Sequence, residues 1–169
     1  MRKYRIEIKW AIIFIIMSLL WMLLEKLTGL HDTHIDKHMY LTNLYAIPAV
    51  IVMVLALKDK KRNYYQGQMT YMQGLISGVI ISVVIALLSP LMQWVISYVI
   101  TPEYFPNVIE YSLKTGYHKT REAAEAYFNY KNYAVQSTIA SLVMGVVTTA
   151  IAMIFIRTKK QVPLFQGNV

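Results

Sequence analysis

The chain has 169 residues, 56% of them hydrophobic, no cysteine, and a formal net charge of +8. The lack of cysteine excludes disulfides, thiol nucleophiles and thiolate metal sites. The apolar residues gather into stretches of membrane-spanning length, with charges confined between them, and this excludes an ordinary soluble domain, whose helices would each keep a polar face.

The first predicted span covers residues 10–27. Basic residues Arg2, Lys3, Arg5 and Lys9 precede it. No small-x-small cleavage pattern follows, so it reads as a retained helix rather than a signal peptide. Gly29 is placed to close it, because glycine accepts the left-handed conformation of a helix end. The second span covers 34–57, with Asp32 as its expected N-cap and a kink expected at Pro48. The third covers 70–100. That is roughly 45 Å of helix, longer than the ~30 Å hydrocarbon core, so it must tilt or project. Pro90 is expected to bend it. The fourth covers 133–156, and RTKK follows as a stop.

The loop at 101–132 is not featureless. NVIEYSLKTG reads as a short helix ending at Gly116. Thr120 can cap REAAEAYFNYKNY, which is expected to run straight into the fourth span. Tyrosines 104, 111, 117, 127, 130 and 133 crowd this region, and tyrosine favours the membrane–water boundary.

Charge sets the expected orientation. Residues 2–9 and 58–62 each hold four basic side chains and one acidic, and the tail after Ile156 holds three basic and none acidic. The segments between are neutral or slightly acidic: 25–38 has two basic against three acidic residues, and 101–132 has four against four. Every other segment is basic, as the positive-inside rule requires of an even number of spans. Both termini and KDKKR are therefore expected in the cytoplasm. The basic excess is accounted for by topology, and no nucleic-acid partner is expected.

Five stretches together carry a family resemblance: IEIKW, LLWMLLEKLTGLHDTHIDKH, NLYAIPAVIVMVLALKDKK, MTYMQGLISGVIISVVIALLSPLMQ and ITPEYFPNVIEY. They resemble the small bacterial integral membrane family catalogued as domain of unknown function 4199, to about residue 156. The resemblance implies a four-helix protein of the bacterial inner membrane and implies no activity. The closing VPLFQGNV contains LFQG, the core of a picornaviral protease site, and is set aside from the functional reading.

Residues 31–38 read HDTHIDKH. On a helix His31, His34 and His38 would share one face, and with Glu25 they are the residues that could ligate a metal. The preferred reading is a metal-free polar cap on the first helical hairpin. In it Asp32 caps, Glu25 pairs with Lys37 or His38, and the histidines sit in water. Small residues recur every four positions at Gly74, Gly78, Ser82 and Ala86, and again at Ser137, Ser141, Gly145 and Thr149. Such stripes let helices approach closely in lipid, either within one protomer or across a homo-oligomer seam. Polar residues inside spans are Ser18, Asn43, Gln73, Gln93 and Gln136. No charged residue is placed near a span centre, where proton-coupled transporters keep one. There is no phosphate loop, nucleophile elbow or HExxH. No catalytic residue and no cofactor is therefore assigned.

The expectation is an all-α integral membrane protein. Residues 1–157 form a single four-span domain with a short helical extracytoplasmic subdomain between helices 3 and 4, and 158–169 form a cytoplasmic tail. The leading role is a non-enzymatic accessory or scaffold protein that meets the bilayer, and a homo-oligomeric or other membrane partner, through helix packing and its tyrosine-rich loop. The alternative is a small oligomeric transporter or channel, and behind it an extracytoplasmic metal-binding protein. Reporter fusions after residues 60, 115 and 160 should read cytoplasmic, extracytoplasmic and cytoplasmic in turn. A reporter active outside the membrane at residue 60 would invert the scheme.

Overall fold

In the computed structural model, residues 4–159 are described; Arg2, Lys3 and the VPLFQGNV tail lie outside them. The described residues are helical, with no strand. The elements are α1 (Arg5–Leu27), α2 (Ile35–Leu41), a 3-10 turn (Thr42–Tyr45), α3 (Ala46–Asn63), α4 (Tyr71–Val95), a π-helical turn (Ile96–Ile100), α5 (Tyr104–Lys114), α6 (Arg121–Tyr127) and α7 (Tyr130–Ile156). Four stretches are long and apolar enough to cross a membrane: Arg5–Leu27, Ile35–Asn63, Tyr71–Ile100 and Tyr130–Ile156. The chain is a multi-pass membrane protein. Its large side chains point outward, with Leu87 76% and Phe155 81% exposed, while Ser18, Ser77, Ser82, Ser89 and Thr149 are buried. That inversion suits lipid as the solvent. Apolar surface gains nothing by hiding from hydrocarbon, whereas polar and small groups gain hydrogen bonds and close contact by turning inward.

Helix ends follow local chemistry. Gly29 has φ +77°. Its N–H donates to the Lys26 carbonyl and the Leu30 N–H donates to the Glu25 carbonyl, each at 3.0 Å. This is a Schellman closure, and it folds the chain back over the last turn of α1. Thr70 and Gln73 cap α4 reciprocally. Three expectations are corrected. Asp32 caps no helix: its carboxylate accepts from the backbone N–H and hydroxyl of Thr33, and α2 begins only at Ile35 behind His34, without a side-chain cap. The irregularity expected at Pro48 lies earlier, in the 3-10 turn, so the proline occupies the first turn of α3, where its missing N–H breaks nothing. α6 does not run into α7. The chain breaks at Phe128 and Asn129, and the Asn129 side chain accepts from the Asn132 N–H at 3.0 Å to start α7 afresh. α4 continues through Pro90. The Ala86 carbonyl, which loses its helical donor there, accepts from the Ser89 hydroxyl at 2.9 Å instead.

α4 and α7 form the most extensive contact of the bundle, α1 packs on α3 and α4, and α3 touches α7. The α4–α7 seam is made where side chains are smallest. A Cβ added at Gly74 would collide with Met153, at Gly78 with Thr149, and at Gly145 with Ser82. Higher up, the Ser89 and Thr138 hydroxyls meet at 2.9 Å. Gly74, Gly78, Ser82 and Ala86 are buried, as is Thr149, whereas Ser137 and Ser141 are half-buried and, with Gly145, line a cavity.

The end of the bundle that carries the basic residues holds two ion pairs. Lys60 Nζ lies 2.8 Å from Glu7 Oε1, both 2% exposed, and Ser77 donates to the same oxygen at 2.9 Å. Lys60 also sits 3.7 Å from the centre of the Tyr64 ring. Lys9 pairs with Asp59, which also accepts from the Trp10 indole at 2.6 Å. The Lys61 ammonium caps α7 by donating to the Ile156 carbonyl at 2.7 Å.

Two outcomes follow. Gly78→Leu should lower thermal stability in detergent by about 1–3 kcal/mol or abolish expression. Thr149 cannot swing aside, because its hydroxyl is bonded to the Gly145 carbonyl at 2.7 Å. Gly74→Ala should cost less, since flexible Met153 can yield. Equal tolerance at both positions would contradict the seam. Lys60→Met should destabilise by about 3–5 kcal/mol, because it strands a buried carboxylate. Adding Glu7→Gln should recover much of that loss in the same melting assay.

Candidate metal centre at the tyrosine-rich end

The Schellman turn after α1 determines the geometry of this end. Because the Leu30 N–H returns to the Glu25 carbonyl, His31 comes back over the Glu25 side chain instead of leading away from it. α2 then sets His38 one turn in from its start, on the face toward α1. Glu25, His31 and His38 meet as a result, with side chains 2%, 4% and 18% exposed. Glu25 Oε1 accepts from the Trp21 indole at 2.6 Å, one helical turn earlier on α1. Its other oxygen, Oε2, faces His31 Nε2 at 3.1 Å and His38 Nε2 at 3.5 Å. Two imidazoles therefore converge on one carboxylate oxygen.

The tyrosine-rich segment closes the site. The Tyr104 ring lies 5.1 Å from each histidine ring, centre to centre, and the two imidazoles lie 5.3 Å apart. Asn107, one turn along α5, donates to the His31 backbone carbonyl at 2.9 Å. Burial, and next the neighbouring Tyr133, push the Tyr104 phenol well above its ordinary pKa. It remains a neutral hydroxyl, 3.3 Å from that of Tyr133. His31 Nδ1 is buried without a hydrogen-bond partner.

Three side-chain atoms, one each from Glu25, His31 and His38, lie within 4.8 Å of one another. Tetrahedral ligands at about 2.0–2.2 Å from zinc stand roughly 3.3–3.6 Å apart. Of the two separations to Glu25 Oε2, that of His38, 3.5 Å, falls within this range, and that of His31, 3.1 Å, lies just below it. Two imidazoles and a carboxylate leave a fourth position open. The Trp21 indole supplies the outer hydrogen bond that fixes a ligating carboxylate.

The sequence reading of this segment needs correction. The histidines are not alike: His34 is exposed and outside the cluster, His38 is partly covered, and His31 is buried. Glu25 pairs with the two buried-side histidines, while Lys37, Asp32 and Asp36 are exposed and take no part. Hydrogen bonds from the Thr33 backbone, and next its hydroxyl, hold Asp32 below the usual carboxylate range at the surface. Trp21 and Asn107 were not singled out, and Tyr104 was expected only as one of the tyrosines at the membrane boundary. The i, i+4 spacing of Trp21 and Glu25 was a legible signal, whereas the docking of α5 had none. Of the other polar span residues, Gln73 serves the α4 cap, Gln93 donates to Ser97 at 3.0 Å, Ser18 meets Tyr45, and Asn43 and Gln136 are exposed.

Beneath the cluster lies a cavity of about 400 Å³ between α1, α3, α4 and α7, with Trp21 in its wall. No curated protein and no solved structure matches the chain. A family model described as "Protein of unknown function (DUF4199)" matches residues 9–158. With nearly the whole of its helical bundle inside that match, the chain belongs to this family.

Proposed function

We propose that this is a non-enzymatic accessory protein of the bacterial inner membrane that holds one transition-metal dication, zinc foremost, at the extracytoplasmic boundary. The observation that carries the reading is the convergence of His31 Nε2 and His38 Nε2 on one buried Glu25 oxygen, at 3.1 and 3.5 Å. Two nitrogens and one oxygen form a borderline donor set, which suits zinc and also nickel or copper. The orientation rests on the basic ends: Lys58, Lys61, Arg62 and Arg157 share one end of the bundle, and the cluster lies at the other. The tyrosine-rich helices cover the site and supply the surface on which a membrane partner would read it. This reading replaces the wet, ligand-free cap expected from the HDTHIDKH spacing.

Protein purified without a histidine tag should carry about one zinc per chain by elemental analysis or take it up in titration calorimetry. His31→Ala/His38→Ala should lose it, and His34→Ala should keep it. Trp21→Phe removes only the bond that steadies the carboxylate, and should weaken affinity about 10–100-fold. Metal content unchanged in the double variant would overturn the reading. Protons compete for the same imidazole nitrogens, so metal affinity should fall on acidification. A flat affinity between pH 5 and 8 would exclude histidine ligation.

A further inference from the structure

The cavity beneath the cluster has a lining unlike a polar substrate site. Ala46 and Ala49 of α3 and Ala140 and Ser141 of α7 are too small to meet across it, so those helices part beyond their contact near Met53 and Gly145. No charged side chain lines it. Most of its polar groups are engaged within the protein: the Ser18 hydroxyl with Tyr45 at 2.7 Å, Ser141 with the Thr138 carbonyl at 3.0 Å, Ser137 with the Ala134 carbonyl at 3.0 Å, and the Gln93 amide with Ser97 at 3.0 Å, which leaves the hydroxyls of Thr42 and Thr148 as its remaining polar lining. Water needs two to four polar partners to stay in such a space, and an empty void of this size is costly. Two residues of its wall, Val50 of α3 at 43% and Met144 of α7 at 60%, are exposed. They lie mid-way along two different spans, so an opening between them faces the bilayer.

We propose that this cavity binds one acyl chain of a bilayer phospholipid, inserted between α3 and α7. The volume falls in the range of small-molecule pockets. The uncharged, mostly apolar lining fits a hydrocarbon chain and offers no counter-charge to an ionic head, which stays at the interface. The chain lies against Trp21, the residue that holds Glu25, but its binding does not depend on a metal.

The test uses Trp21 as reporter. With Trp10→Phe and Trp94→Phe, Trp21 is the sole tryptophan of three. In vesicles of phosphatidylcholine brominated along its acyl chains, Trp21 emission should be quenched. Adding Ala49→Phe and Ala140→Phe fills the cavity and should abolish most of that quenching. A companion protein retaining only Trp94, which is 48% exposed to the surroundings, should be quenched equally with and without the filling pair. Trp21 quenching that persists undiminished in the filled protein would overturn the proposal, as would an unquenched Trp21 beside a quenched Trp94. Should the filled protein fail to fold, native mass spectrometry of the unmodified chain decides. A phospholipid retained one per chain after detergent exchange, and reduced by Ala140→Val alone, supports the site. A lipid-free chain, or a second protein copy crosslinked across α3 and α7, rejects it.

Discussion

The cover over the tyrosine-rich end depends on how closely α4 and α7 approach. In lipid there is no hydrophobic drive to bring helices together, so contact must come from packing and hydrogen bonding. Gly74, Gly78 and Gly145 remove the side chains that would hold the backbones apart, and Met153, Thr149 and Ser82 fill the space opposite. Because α4 ends in the π-helical turn and α7 starts afresh at Tyr130, the seam fixes both ends of the intervening α5–α6 segment. That segment in turn places Tyr104 and Asn107 over the histidines. A larger side chain deep in the seam would thus be felt at a site it never touches.

α1 links the two ends of the molecule. Its buried residues are Glu7, Ala11, Ser18 and Glu25. Residues 18 apart complete about five turns at 3.6 residues per turn, so both carboxylates face the same way, roughly 27 Å apart along the axis. One meets a lysine of α3 and the other meets two histidines beside α2. The ammonium of Lys60 leaves the Glu7 end a closed ion pair. The imidazoles leave the Glu25 end open to ligation, because a neutral imidazole offers a lone pair and an ammonium does not. Two glutamates on the same face of one helix thus close an ion pair at one end and gather two imidazoles at the other.

The four spans, the closure at Gly29, the start at Thr70 and the close-packing glycines were all legible, since each depends on residues near one another in sequence. What escaped depends on contacts distant in sequence. Glu7 and Lys60 looked like exposed topology charges, because nothing local marks a charge as buried against another 53 positions away. The histidines looked equivalent, because helical spacing was assumed through residues that form a Schellman turn. That turn sends His31 inward, while His34 stays exposed at the start of α2. The break at Phe128 and Asn129 was missed for a related reason. Asn129 reads as an ordinary polar residue within a helical run until its side chain is seen accepting the Asn132 N–H.

The bond from Asn107 to His31 reaches a backbone carbonyl, not the imidazole. The latch on α5 therefore senses where the turn is and is blind to what the ring carries. A bare, protonated or ligated histidine presents the same carbonyl at the same place. A metal held at the site would need no movement of the helix above to enter or leave. It would pass the partly exposed edge of His38, with the covering helix a fixed roof rather than a door.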